Sequence, residues 1–153
     1  MFKRILVPTD GSQLSDQAVA TAIEFARAHG GDLVAISVAQ PYPAMAAEAA
    51  VVMDMQTESQ LVLQLAQENV DKVAQLAQAA GVACKTVIAL SFVPHEEIIN
   101  AAQDNQCDAI FMSSHGRHGL SRLLAGSVTQ NVLAYSSFPV LVLRPGRPPE
   151  PGP

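Results

Sequence analysis

Ala109-Ile110-Phe111-Met112-Ser113-Ser114-His115-Gly116-Arg117-His118-Gly119, followed by Ala125-Gly126-Ser127-Val128, is the stretch that decides how this chain is built. The apolar residues 109–112 read as a strand buried on both faces. A helical pattern begins just past Ser127. A buried strand, a glycine-bearing loop and Gly-Ser at a helix start together make an anion pocket. Glycines let main-chain N–H groups approach a phosphate closely. The helix N-terminus adds unpaired donors and the positive end of a dipole. The stretch therefore predicts a site for a phosphorylated ligand, with a nucleotide as first choice.

Outward from it, strands and helices alternate. Residues 2–7 form a short apolar run ending in Pro8-Thr9-Asp10. Ser12 or Ser15 caps a helix whose apolar face is Ala18, Val19, Ala22, Ile23, Phe25 and Ala26, and His29-Gly30-Gly31 ends it. Residues 33–38 are a second buried strand. Residues 57–80 read as a long helix, with Thr57 and Gln60 as a capping box and Val62, Leu65, Ala66, Val70, Val73, Leu76 and Ala77 as its stripe. Residues 82–90, 108–112 and 139–143 are further strands. Pro94-His95-Glu96-Glu97 opens another helix with the proline and acids that a first turn favours, and 127–135 is the last. Strands separated by helices mean right-handed crossovers and a parallel sheet. The expected fold is α/β, a five-stranded, mainly parallel sheet with helices on both faces, Rossmann-like or flavodoxin-like. Ligands in such sheets bind at the carboxyl ends of the strands. The final residues 145–153 hold half of the chain's ten prolines and read as a disordered tail after a domain of residues 1–144.

The bulk numbers narrow the function classes. A chain of 153 residues, 49% hydrophobic and 15% charged, suits one domain. The low charge points to apolar surface buried between subunits. A net charge of −5 and the absence of Trp argue against nucleic acid. The N-terminal apolar run stops too early for a signal peptide, and residues 43–55 are too short to span a membrane. Cys84 and Cys107 read as small buried residues in a reducing compartment, which places the chain in the cytoplasm.

Asp10, after a strand and before Gly11-Ser12, is by itself a turn or cap aspartate. Taken with the distal loop, it becomes a candidate acceptor for a ribose. Ser127 with Gln130 fits a capping box, which is compatible with a phosphate on the remaining N–H donors. Arg117 is placed to pair with phosphate. His115 and His118 have no local carboxylate or cysteine beside them and are read as polar surface, with no metal site. The Walker lysine, the nucleophile elbow and a Gly-x-Gly-x-x-Gly after the first strand are all absent.

These segments have a family likeness. Ile5-Leu6-Val7-Pro8-Thr9-Asp10-Gly11-Ser12, Pro94-His95-Glu96-Glu97-Ile98, Met112 to Arg117, Leu124 to Val128 and Pro139-Val140-Leu141-Val142 resemble the universal stress protein family over residues 1 to about 144. The resemblance implies the adenine nucleotide alpha hydrolase-like variant of the fold. It also implies a nucleotide site at Pro8, Thr9, Asp10, Val38, Met112, Ser113, Gly116, Arg117, Gly126, Ser127 and Val128. In that site Asp10 binds ribose, Val38 offers backbone atoms to adenine, Met112 packs nearby, and Gly116, Arg117, Gly126, Ser127 and Val128 hold phosphates. The ligand would be ATP, ADP or AMP, with Mg²⁺ or Mn²⁺ on the phosphates. Two positions depart from the family pattern. Ser113 stands where the first glycine is usual, and Phe92, where glycine is frequent, is expected at the pocket rim. The resemblance further implies a homodimer through strand 139–143. The function expected is a stress-response or signalling module, not a fast enzyme. The alternatives are a slow ATPase or autophosphorylating protein, and a nucleotide-free dimeric interaction protein.

Overall fold

The computed structural model describes residues 1–41, 55–116, 125–146 and 152. Among these residues five strands alternate with four helices: β1 (Arg4–Pro8), α1 (Gln13–His29), β2 (Asp32–Ala39), α2 (Met55–Ala79), β3 (Cys84–Leu90), α3 (Pro94–Asp104), β4 (Ala109–Ser113), α4 (Ser127–Tyr135) and β5 (Val140–Leu143). All neighbouring strands are parallel, in the order β3-β2-β1-β4-β5. Of the two orders left open by the sequence this is the Rossmann one, with its reversal between β1 and β4.

Strand alternation sorts the apolar residues onto two faces. Ile5, Val7 and Phe111 join α1 and α2 in one core, with Val19, Ala22, Val70, Val73 and Ala77. Leu6, Ile110 and Met112 join α3 and α4 in the other, with Ile36, Ile98, Ala102 and Val132. Both faces are covered, so the central strands are nearly continuous apolar runs.

The helix ends follow local chemistry. Ser12 is the N-cap of α1, its hydroxyl accepting from Ser15 N, and Gly30 closes the helix in the left-handed region at φ 65°. Below the sheet, the Arg4 guanidinium pairs with both carboxylate oxygens of Asp32 at 3.0 Å and donates to Asn105 O. Asp108 accepts from the main-chain N–H groups of Lys3 and Arg4, each at 2.8 Å, and these bonds hold its carboxyl below the usual value.

Several expectations are corrected. The long helix begins at Met55, so Thr57 lies inside it and no capping box forms there. Leu65 and Leu76 are exposed, because the buried stripe narrows to Ala66, Val70, Val73 and Ala77. The last helix is capped by Gly126, whose backbone is extended (φ −61°, ψ 161°), and Ser127 is its first helical residue. The Gln130 amide donates to Ala125 O at 2.6 Å and takes no part in a capping box. The tail expected over 145–153 falls mostly outside the described residues.

Candidate functional site

The carboxyl ends of β1, β2 and β4 meet the first turns of α1, α3 and α4 around a cavity of about 380 Å³, within the range of small-molecule sites. Its walls are of two kinds. Pro8, Ile36, Val38, Pro94, Ile98, Met112 and Val128 make an apolar slot, most of it continuous with the α3–α4 core. Thr9, Asp10, Ser15, Ser113, Gly116, Gly126, Ser127 and Thr129 make a polar side, and Gln40 stands at the rim. A ligand that fills both has an apolar, flat part and a polar part.

Among the described residues, the slot contains a backbone edge of β2 that no strand pairs. In a parallel strand, the N–H and C=O groups of alternate residues face opposite neighbours. Ile36 O accepts from Thr9 N at 2.8 Å, so Ile36 faces β1, whereas Ala39 O accepts from Ser91 N on the β3 side. Val38 therefore faces β1, whose pairing with β2 has already ended at Pro8 and Ile36. Its N–H and C=O point into the crevice, one donor beside one acceptor.

The polar side is organised by helix starts. Among the described residues, no side chain caps the first turn of α4. Gly126 N donates to Ser114 O at 2.7 Å, and the first helical bond is Gln130 N to Gly126 O. The N–H groups of Ser127, Val128 and Thr129 are therefore the unpaired donors of this turn. A Cβ at Gly126 would meet Ser114 O at 3.4 Å and His115 Cα at 3.7 Å.

Asp10 Oδ1 accepts from Ser12 N at 2.9 Å. Its other oxygen lies against Gly116, where an added Cβ would stand 2.5 Å from it. Beneath, Ser15 Oγ donates to Ser12 O at 2.9 Å and receives the Thr9 hydroxyl at 3.3 Å, so both buried hydroxyls are satisfied. At β4, Ser113 Oγ donates to His115 O and Thr129 Oγ1 donates to Ser113 O, each at 2.9 Å. Ser114 Oγ and His115 Nδ1 are 2.8 Å apart.

The structure thus brings Pro8, Thr9, Asp10, Val38, Met112, Ser113, Gly116, Gly126, Ser127 and Val128 to one cavity. Arg117 lies outside the described residues, as does His118. Phe92 is corrected: it is 70% exposed and does not line the cavity, because it follows β3 at the sheet edge. Sequence reasoning missed Ser15, Ile36, Gln40, Pro94, Ile98 and Thr129 as lining residues. A period of two from Val38 points to Ile36, and a period of four from Pro94 points to Ile98. Among the described residues no cluster of three or more His, Cys, Asp or Glu forms, and no helix is long and apolar enough to cross a membrane. Cys84 and Cys107 are free, the first half-buried and the second buried.

Comparison with known proteins gives a consistent answer. The model of the universal stress protein family matches residues 1–144. A universal stress protein of Methanocaldococcus jannaschii is 34% identical over 146 residues, covering 94% of this chain and 83% of that protein. A second universal stress protein of that organism superposes with a TM-score of 0.78 at 30% identity, covering 97% of this chain and 99% of its own. A universal stress protein solved in complex with cAMP shares the fold, with a TM-score of 0.66 at 23% identity and coverage of 94% and 97%.

Proposed function

The chain belongs to the universal stress protein family, and on that premise we propose that its cavity binds an adenine nucleotide, making it a nucleotide-responsive stress or signalling module. The observation that carries the reading is the pairing of an apolar slot that has a bare backbone edge at Val38 with an uncapped helix start at Ser127. The base enters the slot between Val38 and Met112, and phosphates meet the N–H groups of Ser127, Val128 and Thr129. Asp10 accepts from the ribose.

Base choice follows from the order of donor and acceptor. Adenine carries an amino donor at position 6, where guanine carries a carbonyl oxygen. The Val38 C=O accepts from the amino group, whereas guanine would set oxygen against oxygen. Among the described lining residues, phosphate affinity comes from backbone donors and the dipole of α4; Arg117, the cation expected at the phosphates, lies outside the described residues. Asp10 is the sole carboxylate among them, so the residues form no metal cage. A Mg²⁺ or Mn²⁺ would be held by the ligand's own phosphates and would neutralise their charge. The same reading makes the protein a binding module instead of a fast phosphotransferase: the chain has no Walker lysine, and Asp10 is engaged by Ser12 N. Stress-induced changes in nucleotide level would then shift which conformer or partner complex is populated.

Calorimetry with ATP, ADP, AMP and GTP, with and without Mg²⁺, tests this. Adenine nucleotides should bind and GTP should bind more weakly. A folded protein that takes up none of the four at millimolar concentration would refute the proposal.

A further inference from the structure

Ser113 ends β4 at the cavity, and its hydroxyl has a defined polarity. The inference rests on the nucleotide reading above. Sheet order sets the order of the ligand's parts. With the base at Val38 on β2 and the phosphates at the first turn of α4, the sugar between them crosses the ends of β1 and β4. Those ends present Asp10 and Ser113 to the cavity.

Ser113 is fixed on three sides. Its strand is paired to β5 with Ser113 opposite Leu143. Its carbonyl accepts from Thr129 Oγ1, and its own hydroxyl proton goes to His115 O at 2.9 Å. A serine hydroxyl has one proton and two lone pairs. With the proton committed, Oγ can only accept. A phosphate oxygen, itself an acceptor, gains nothing from it. A sugar hydroxyl is a donor and does. We infer that Ser113 Oγ reads a ribose hydroxyl and makes the site prefer ribonucleotides over analogues that lack that hydroxyl. A glycine at this position would leave the discrimination to Asp10 alone.

The test is calorimetric titration of AMP, 2′-deoxy-AMP and 3′-deoxy-AMP into the full chain and three variants. In the wild type, at least one deoxy analogue should bind about five- to tenfold more weakly than AMP, the scale of one hydrogen bond. Ser113→Ala should close that gap by weakening AMP while leaving the same analogue unchanged. Ser113→Thr keeps the hydroxyl and should keep the gap. Ser113→Gly, which also removes the Cβ, should close it too, and any steric relief should shift all three ligands together. Thermal unfolding of each variant checks that the fold is intact. Equal affinity of the wild type for all three ligands overturns the inference while leaving the nucleotide site standing, as does a Ser113→Ala variant in which neither analogue's gap narrows; a gap that persists for one analogue while the other closes is the share read by Asp10 and supports the inference. Failure of the folded wild type to bind any of them at millimolar concentration overturns the nucleotide reading itself, and the inference with it.

Discussion

Gly116 and Asp10 are coupled by a contact that does not yet exist. A Cβ at Gly116 would stand 2.5 Å from Asp10 Oδ2, with the carboxyl carbon at 3.6 Å. In Gly116→Ala the carboxylate must retreat by about 1 Å to regain ordinary van der Waals separation. Its other oxygen holds Ser12 N at 2.9 Å, so the retreat stretches that bond past useful length. Losing a hydrogen bond to a charged group costs about 1.5–3 kcal/mol. Replacing glycine by alanine returns about 0.4–1 kcal/mol by restricting the unfolded chain. The net destabilisation expected is about 1–2 kcal/mol at neutral pH.

A double-mutant cycle with Asp10→Ala isolates the contact. With the carboxylate gone, Gly116→Ala meets no obstacle and should be neutral or stabilising by up to about 1 kcal/mol. The coupling energy should then reach about 1.5–3 kcal/mol, well above the few tenths seen for independent sites. Urea unfolding of the four proteins at pH 7 measures it, with unchanged m-values as the check that stability alone has moved. Additivity within about 0.3 kcal/mol would refute the packing of Asp10 on Gly116, and with it the reason for a glycine at that place.

Three further outcomes are expected. Gly126→Ala should leave stability within about 1 kcal/mol of wild type, since poorer N-capping and a stiffer unfolded chain offset each other, yet weaken ATP binding about tenfold or more by obstructing charge-assisted bonds; normal affinity by calorimetry would mean that phosphates do not sit at α4. β5 is an edge strand on which Leu141 is exposed, and we propose that two copies of the chain pair there; the wild type should then sediment as a dimer and Val142→Lys as a monomer in analytical ultracentrifugation, and a wild type that sediments as a monomer rules the pairing out. Burial pushes the Cys107 thiol up to about 11 from 9.0, so the unfolded chain loses that proton first; stability is full below pH 9 and falls as pH rises toward 11, and Cys107→Ala should flatten part of that decline in urea titrations.

The alternation of elements was legible because Gly30, Gly81 and Pro94 punctuate strong apolar periods, and the structure starts or stops elements within a residue or two of each. Strand order was not: whether β1 is flanked by β2 and β4 or by β2 and β3 depends on how crossovers pack, which no local pattern encodes. The candidate site was legible where a neighbour leaves no room for a Cβ, as at Gly116 against Asp10. It was illegible where a role belongs to position alone. Ile36 and Ile98 look like any core residue and line the slot because β1 ends early. Ser127 looked like a cap because Ser-x-x-Gln is a capping pattern; the extended backbone one residue earlier took the role, and no side-chain signal marks that shift. Leu65 and Leu76 belong to the apolar stripe by period, but a helix packed on a flat sheet buries a narrower arc than the stripe spans.

The early end of β1 is also what joins the two halves of the cavity. Had β1 continued alongside β2, Val38 would pair with it and the slot would be closed by a strand. Instead the chain turns at Asp10-Gly11-Ser12, with Ser12 N drawn onto the Asp10 carboxylate, and the freed space is bordered by the apolar α3–α4 face on one side and by hydroxyls and helix starts on the other. Side chains on the polar side are mostly bound to their own backbone: Thr9 and Ser15 to each other and to Ser12, Ser113 to His115, and Thr129 to Ser113. They hold the loops in place, and in the proposed complex the main chain of α4 is left to meet the nucleotide. Recognition by main chain tolerates many side-chain changes but few changes of backbone path, which is why the glycines and the turn at Asp10 stand out in the sequence while the residues around them read as ordinary loop.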